Sequence, residues 1–116
     1  MKFSSNPIEQ KSFEFALDVI EAYKAMVEQK EFILSKQLLK SGTSIGANIQ
    51  EAQAAFSKKD FTAKMSISSK EARETKYWLL LNKYGKLANV PVDGLIRKNE
   101  ELIRMLTAIV KSSQTR

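Results

Sequence analysis

Apolar residues recur every three or four positions along most of the chain, a spacing typical of amphipathic α-helices. Four such stretches are separated by the few helix-breaking residues. They predict helices at about residues 7–30, 32–56, 58–84 and 94–111. No stretch alternates strictly between apolar and polar residues, so no strand is predicted. The pattern therefore predicts an all-α protein, an antiparallel up-down-up-down four-helix bundle that forms one domain over residues 1–116.

The start of the first helix is marked by its residue types. Asn6 suits the N-cap, Pro7 the first helical position and Glu9 a position from which it can reach back to the cap. The periodicity then selects one apolar seam for this helix: Phe13, Ala16, Leu17, Ile20, Tyr23 and Val27.

Helices 2 and 3 are predicted to pack tightly as an antiparallel hairpin. Gly42 and Gly46 are four residues apart in helix 2, which suggests close approach to a neighbouring helix or, alternatively, a kink or local break. The helix 2 seam takes either Asn48 or Ile49 and ends at Phe56. Ser57 caps helix 3, whose heptad-like seam is small in its middle. That seam consists of Phe61, Met65, Ser68, Ala72, Thr75 and Leu79.

The ends of the last connection are predicted from two residues. Gly85 follows helix 3 and suits a left-handed cap. Asp93 precedes the apolar periodicity of helix 4 and suits its N-cap.

The positive charge of the chain is concentrated in its middle part. The 116 residues include 19 Lys and Arg against 13 Asp and Glu, a net charge of +6. Residues 1–31 have a net charge of −2, residues 32–86 of +6 and residues 87–116 of +2. A basic excess on helices 2 and 3 fits a polyanionic partner, RNA or DNA. A basic surface that only contacts solvent is the alternative.

The candidate nucleic-acid-binding residues lie at the start of helix 3 and along it: Lys58, Lys59, Lys64, Lys70, Arg73 and Lys76. At about 100° per residue they do not form one stripe, since Lys64 and Lys76 turn away from the others. Phe61 and Trp78 look like packing residues and offer little for base stacking. A protein-interaction scaffold without a nucleic-acid role is therefore a second hypothesis.

Catalysis and metal binding are not expected. The chain has no His and no Cys, which removes the commonest general base, metal ligand and thiolate nucleophile. Glu71 and Glu74 are a carboxylate pair, but di-metal bundles need a Glu-x-x-His arrangement, and helix-surface ion pairs explain the two residues better. No catalytic residue, metal or cofactor is predicted.

Candidate subunit contacts are polar or aromatic residues beside well-formed seams: Asn48, Glu51, Glu71, Glu74 and Trp78. A polar residue such as Asn48 in a seam can fix register or oligomeric state, or it can simply border the seam. Trp78 can be a core residue or an interface anchor. The N-terminus has no secretory h-region and the longest apolar run, at residues 78–81, is too short to span a membrane, so we expect a cytoplasmic protein.

Three motifs carry a resemblance to a known family. They are the string SIGANIQEA at residues 44–52, SKKDF at 57–61 and KEARETKYWL at 70–79. Over about residues 13–106 the chain resembles the 23S rRNA intervening-sequence proteins of bacteria, also called S23-type proteins. Many members have Pro where Gly46 stands and Gly where Ala52 stands. The resemblance implies a four-helix bundle, a homo-pentameric ring and a loose link to ribosomal RNA, and it brings no catalytic residues.

Overall fold

The structure is a computed structural model that describes residues 1–115. It contains four helices: α1 (Pro7–Glu28), α2 (Leu34–Gln53), α3 (Lys58–Gly85) and α4 (Asp93–Gln114). Each helix packs against its neighbours in sequence, and α1 also packs against α4, which closes the bundle. The molecule measures 47 × 27 × 20 Å, and no strand occurs among residues 1–115. The predicted all-α four-helix bundle is confirmed.

Two predicted N-caps are present. Asn6 Oδ1 accepts a hydrogen bond from the Ile8 N–H (3.1 Å), and Pro7 is the first residue of α1. Ser57 Oγ accepts from the Asp60 N–H (3.0 Å) at the start of α3. These bonds satisfy N–H groups that have no partner within the helix. Glu9 does not reach back to Asn6; its Oε1 accepts from Gln50 Nε2 on α2 (3.0 Å).

Helix α2 is shorter than the predicted span 32–56 at both ends. Its start is fixed by the carboxylate of Glu31, which accepts from the N–H groups of Leu34 (3.1 Å) and Ser35 (2.7 Å). The helix therefore begins after Phe32 rather than at it. At the other end α2 stops at Gln53, and Phe56, predicted to be the last seam residue, is fully exposed.

The remaining helix ends also differ from the prediction. Helix α1 ends two residues early, and Lys30 beyond it has a left-handed backbone (φ 65°). Gly85 is still helical, and the left-handed cap is Lys86 (φ 55°). Asp93 is the first residue of α4 rather than its N-cap, because its carboxylate forms an ion pair with Lys83 (3.0 Å) and Val92 occupies the cap position. Helix α4 extends to Gln114 rather than 111.

The wrong seam was predicted for α1. The buried residues of α1 are Ile8, Ser12, Phe15, Val19, Ala22 and Met26. The predicted seam lies on an adjacent side of the helix, where its members are half-buried and Leu17 is 40% exposed. Both stripes have helical periodicity, so periodicity alone could not choose between them. The core takes the stripe that contains Phe15 and Met26, and the other is left at the surface.

The two glycines of α2 pack against α1 and not against α3. A Cβ at Gly42 would lie 2.9 Å from both methyl groups of Val19, and one at Gly46 would lie 3.4 Å from Ser12 Oγ. Helix α2 continues through both positions without a break. Close approach is thus confirmed and a local break is excluded, but the neighbour is α1.

The contact between α2 and α3 is made by small polar residues instead. The hydroxyl oxygens of Thr75 and Ser41 lie 2.9 Å apart and share a hydrogen bond, and Ser68 Oγ donates to the Ile45 carbonyl (2.8 Å). All four residues are fully buried. Buried hydroxyl groups are tolerated when they find such partners. The predicted seam of α3 is confirmed from Met65 to Leu79, and its first residue, Phe61, is half-buried.

Candidate nucleic-acid interface

The six predicted binding residues divide into two groups in the structure. Lys59, Lys70 and Arg73 are exposed on one outward side of α3. Lys64 faces α2, where its Nζ lies 2.9 Å from Glu51 Oε1, and Lys76 faces α4, where its Nζ lies 3.7 Å from Glu100 Oε2. Lys58 is the first residue of α3 and borders the C-terminal end of α4. The hydrogen bond that Lys64 donates to the Glu51 carboxylate raises the pKa of Lys64 above its usual value.

Helix α4 adds cations that the sequence interpretation did not select. Arg97, Arg104 and Lys111 are spaced by seven residues, so they follow one side of the helix. All three are exposed. Their side of α4 adjoins α3, because Arg73 Nη2 lies 3.5 Å from Thr107 Oγ1, and Thr107 is one turn away from both Arg104 and Lys111.

We call the outward side shared by α3 and α4 the basic face. Its cations are Lys59, Lys70, Arg73, Arg97, Arg104 and Lys111. None of these six forms an ion pair with another residue in the described range 1–115. Unpaired, exposed cations on one side of a molecule attract polyanions more strongly than the same charges scattered and neutralised.

Two tyrosines also lie on the basic face and were missed from the sequence. Tyr77 and Tyr84 are 57% and 73% exposed. They follow Lys70 at intervals of seven residues, so they continue the same side of α3. Exposed aromatic rings among cations are the pattern that stacks nucleic-acid bases. The seven-residue spacing was the signal that could have revealed both the tyrosines and the α4 cations.

The predicted subunit-contact residues lie together along the outer edge between α2 and α3. Asn48 is half-buried and donates to the Ser44 carbonyl (2.8 Å), so it borders the seam while Ile49 fills it. Glu74 Oε2 accepts from the indole Nε1 of Trp78 (3.0 Å), and Trp78 is half-buried against the edge of the core. Burial raises the pKa of Glu71, and the neighbouring Glu74 raises it further.

Apolar side chains accompany these polar residues. Ile67 and Leu81 are exposed on the same side of α3 as Trp78. We call this the α2/α3 edge. Together with the surface stripe of α1, it gives the bundle two partly apolar surfaces. Phe3 stacks on Phe13 at the start of the α1 stripe (ring centroids 4.2 Å apart), and Leu17 further along is exposed.

Another groove lies beneath the connection between α3 and α4. Its volume is about 510 Å³. The carboxylate of Asp93 on its wall is paired with Lys83. Asn82 is buried there and exchanges two hydrogen bonds with the backbone of Ala88 (3.1 and 3.4 Å). These contacts hold the connection against α3, so we assign this groove a structural role.

A sequence profile described as "23S rRNA-intervening sequence protein" matches residues 5–108. The chain belongs to this family. The family resemblance inferred from the motifs in α2 and α3 is thereby confirmed. The match covers all but the ends of the bundle, and no match is found among curated proteins.

A solved structure of the S23 ribosomal protein family supports the same assignment. It is the crystal structure of a protein of unknown function from Bacteroides thetaiotaomicron VPI-5482, 45% identical to this chain, with a TM-score of 0.83. The alignment covers 90% of this chain and 98% of that chain. The intervening-sequence family is therefore represented by a bundle of nearly the same length and shape.

Among residues 1–115, no helix combines the length and apolarity needed to cross a membrane. Within the same range, no three His, Cys, Asp or Glu residues lie close enough together to hold a metal ion.

Proposed function

We propose that this protein is a non-enzymatic nucleic-acid-binding bundle and that the basic face is its binding surface. The observation that carries the proposal concerns one side of α3 and α4. Six exposed cations without ion-pair partners among residues 1–115 lie there together with two exposed tyrosines. Cations neutralise phosphates and release counterions, and tyrosine rings stack on bases. RNA is the first ligand to test, because the family description refers to 23S rRNA.

The test is fluorescence anisotropy with a structured ribosomal RNA fragment and a duplex DNA of equal length, each over a salt series. Replacing Lys70, Arg73 and Arg104 with Glu should weaken RNA binding at least a hundredfold at low salt, since three phosphate contacts become repulsions. The control replaces Lys2, Lys36 and Lys40 with Glu. It makes the same change in net charge at exposed positions outside the basic face.

The outcomes separate a local site from bulk charge. If both triple variants bind equally weakly, net charge and not the basic face governs binding. If the unchanged protein binds neither nucleic acid at 50 mM salt, the proposed function is wrong. RNA binding that persists near 0.2 M salt while DNA binding is lost would indicate a specific RNA role, because non-specific affinity is low at physiological salt.

Self-association is the second part of the proposal. The α1 stripe and the α2/α3 edge would each bind another copy of this chain. The stripe of α1 that includes Leu17 runs beside three exposed carboxylates, those of Glu14, Glu21 and Glu28. The α2/α3 edge contains Trp78 and is flanked by Lys64 and Lys70. Opposite charges beside two apolar surfaces favour a head-to-tail contact, which closes into a ring when the rotation permits.

Native mass spectrometry at micromolar concentration tests this contact. Leu17→Glu should dissociate the assembly without unfolding the bundle, because Leu17 is not part of the core. The matched control is Ala108→Glu, an exposed position on α4 outside both surfaces. The family resemblance implies five copies. A monomer as the only species of the unchanged protein would contradict self-association.

A protein-interaction scaffold remains the second candidate function, and one observation favours it. Large apolar side chains are exposed where two connections adjoin at one end of the bundle: Phe32, Ile33, Tyr84 and Leu87. Hydrogen bonds between Gln29 and Asn89 hold these connections together. Affinity purification after nuclease treatment distinguishes the candidates. Stoichiometric capture of one protein, lost on Ile33→Asp, would support the scaffold, and an empty eluate would count against it.

A further inference from the structure

The basic face contains a groove between α3 and α4 that is built from cations and hydroxyl groups. Its volume is about 270 Å³. The residues lining it are Ser66, Ser69, Arg73, Thr107, Val110, Lys111 and Gln114. None of them is acidic, although acidic and basic residues are interspersed over most of the helical surface. A small anion in this groove would therefore meet donors and positive charge on both walls.

The α3 wall presents its donors at helical spacing. Ser66 and Ser69 are three residues apart, and Arg73 follows Ser69 by four, so the three side chains share one side of the helix. The hydroxyl groups of Ser66 and Ser69 make no hydrogen bond with any residue in the described part of the chain. Thr62, Thr75 and Thr107, by contrast, each donate to the carbonyl one turn back.

The α4 wall positions the guanidinium and adds a second charge. Arg73 Nη2 lies 3.5 Å from Thr107 Oγ1, a long hydrogen bond that directs the side chain across the groove. Arginine has five N–H donors in a planar fork, so most remain available to a ligand. Lys111 lies one turn beyond Thr107 and lines the same groove.

We propose that this groove binds a phosphate group. The ligand chemistry follows from the donors: a tetrahedral oxyanion can accept a forked pair of bonds from Arg73, single bonds from Ser66 and Ser69, and the charge of Lys111. The inference deepens the proposed function and rests on it for the source of the phosphate, which we take to be the backbone of a nucleic acid. A free phosphate or a phosphorylated small molecule has the same chemistry.

The test is NMR titration of ¹⁵N-labelled protein with sodium phosphate, against sodium chloride at equal ionic strength. We expect saturable shifts at Ser66, Ser69, Arg73, Thr107 and Lys111 with phosphate alone. The double variant Ser66→Ala, Ser69→Ala should weaken phosphate binding about fivefold or more without a change in charge. Alanine is the better helix former, so the variant should fold. Ser5→Ala, at an exposed position outside the helices, is the matched control.

A second variant separates the shape of the guanidinium from its charge. Arg73→Lys keeps the positive charge but loses the planar fork, so phosphate affinity should fall about tenfold. Loss of a positive charge would lower the slope of log affinity against log salt concentration for nucleic-acid binding. Because Arg73→Lys keeps the charge, it should leave this slope unchanged. Phosphate affinity equal to that of the unchanged protein would contradict bidentate binding by Arg73.

Competition with a single-stranded oligonucleotide identifies the source of the phosphate. Displacement of phosphate from the groove would assign the site to the nucleic-acid backbone. Saturable phosphate shifts without oligonucleotide binding would keep the phosphate site and remove the proposed function. A third outcome is that phosphate causes the same NMR shifts as chloride, while the oligonucleotide binds the protein and its serine variant equally well. This result would overturn the phosphate site and leave the proposed function standing.

Discussion

Two glycines on the same side of α2 differ in what their missing side chains allow. At Gly42 an added Cβ would lie 2.9 Å from both methyl groups of the fully buried Val19, whereas at Gly46 it would meet Ser12 at 3.4 Å or more. Both substitutions gain the same helix propensity, roughly 1 kcal/mol for Gly to Ala. Gly42→Ala should therefore be less stable than Gly46→Ala by about 1–3 kcal/mol, the usual cost of overpacking.

Urea unfolding of the two variants measures this difference directly, since the shared propensity term cancels. Equal stabilities would mean that α1 moves away from α2 at little cost, and the close approach of the two helices would then have no energetic weight.

Glu71 gives a prediction about pH. Burial and the neighbouring Glu74 raise its pKa above the usual value of 4.5, so the folded protein binds a proton more readily than the unfolded chain does. The stability of the fold therefore falls as pH rises through this range. Glu71→Gln should raise the melting temperature at pH 7, and the gain should vanish well below pH 4.5.

Thermal unfolding of the Glu71→Gln variant at pH 7 and pH 3.5 tests this sign. Glu100→Gln, which removes a half-buried carboxylate from an ion pair with Lys76, should not stabilise the protein at pH 7 and is the control. A stabilisation of the same size at both pH values would show that packing, rather than ionisation, explains the effect.

At this scale, local side-chain chemistry was predictable and backbone geometry was less so. Asn6 and Ser57 cap their helices because their side-chain oxygens can accept from the free N–H groups of the first turn. Asp93 is the exception, since its carboxylate pairs with Lys83 instead. The left-handed caps at Lys30 and Lys86 were not predictable from residue type, since lysine has no preference for that conformation. Gly85 was predicted to be the left-handed cap of α3, but the helix includes Gly85 and the cap is Lys86.

Among the elements, α1 shows how two apolar stripes on one helix can mislead. Phe15 is 1% exposed and Leu17 is 40% exposed, although they are two residues apart and equally apolar. We expect Phe15→Ala to cost about 3–5 kcal/mol of unfolding free energy, as for other buried aromatic residues. Leu17→Ala should cost less than about 1 kcal/mol in the monomer, because the Leu17 side chain is already partly in water and lies outside the core.

Chemical denaturation at several protein concentrations checks both values. A concentration-dependent cost for Leu17→Ala alone would place this stripe in a subunit contact. A cost for Leu17→Ala that matches that of Phe15→Ala at every concentration would show that the helix is rotated relative to the orientation described above.

The element order and the packing of α3 were readable from the sequence because the heptad-like seam is regular from Met65 to Leu79. The helix that packs against Gly42 was not predictable, because a glycine indicates close approach without identifying the neighbouring helix. Likewise, Lys64 and Lys76 look like neighbours of Lys70 in the sequence, but their carboxylate partners come from α2 and α4. Only the three-dimensional arrangement shows which cations are neutralised.

For the whole molecule, charge is separated between opposite elements. Helix α1 has two basic and five acidic residues, whereas α3 has seven basic and three acidic residues. On the basic face, we expect cations to set the salt dependence of nucleic-acid binding and aromatic rings to add stacking contacts with bases. Lys70→Ala should lower the salt slope of single-strand binding by about 0.7 and weaken all sequences equally.

Tyr84→Ala should weaken the binding of single-stranded nucleic acid by about 1–3 kcal/mol, because one stacking contact is lost. The salt dependence of binding should not change. Binding of duplex DNA should be unaffected, because its bases are already stacked. Anisotropy with single-stranded and duplex probes of one sequence checks both variants. Equal losses for the two probes on Tyr84→Ala would indicate a general loss of surface contact instead of base stacking.

The length of α3 sets a footprint. From Lys59 to Tyr84 the basic face extends about 38 Å, at roughly 1.5 Å per helical residue. B-form duplex DNA advances about 3.4 Å per base pair, so one subunit matches roughly 11 base pairs of DNA, about one full turn. Affinity should rise with each added base pair until the probe reaches that length and then level off, which makes the shortest saturating oligonucleotide a molecular ruler for this helix.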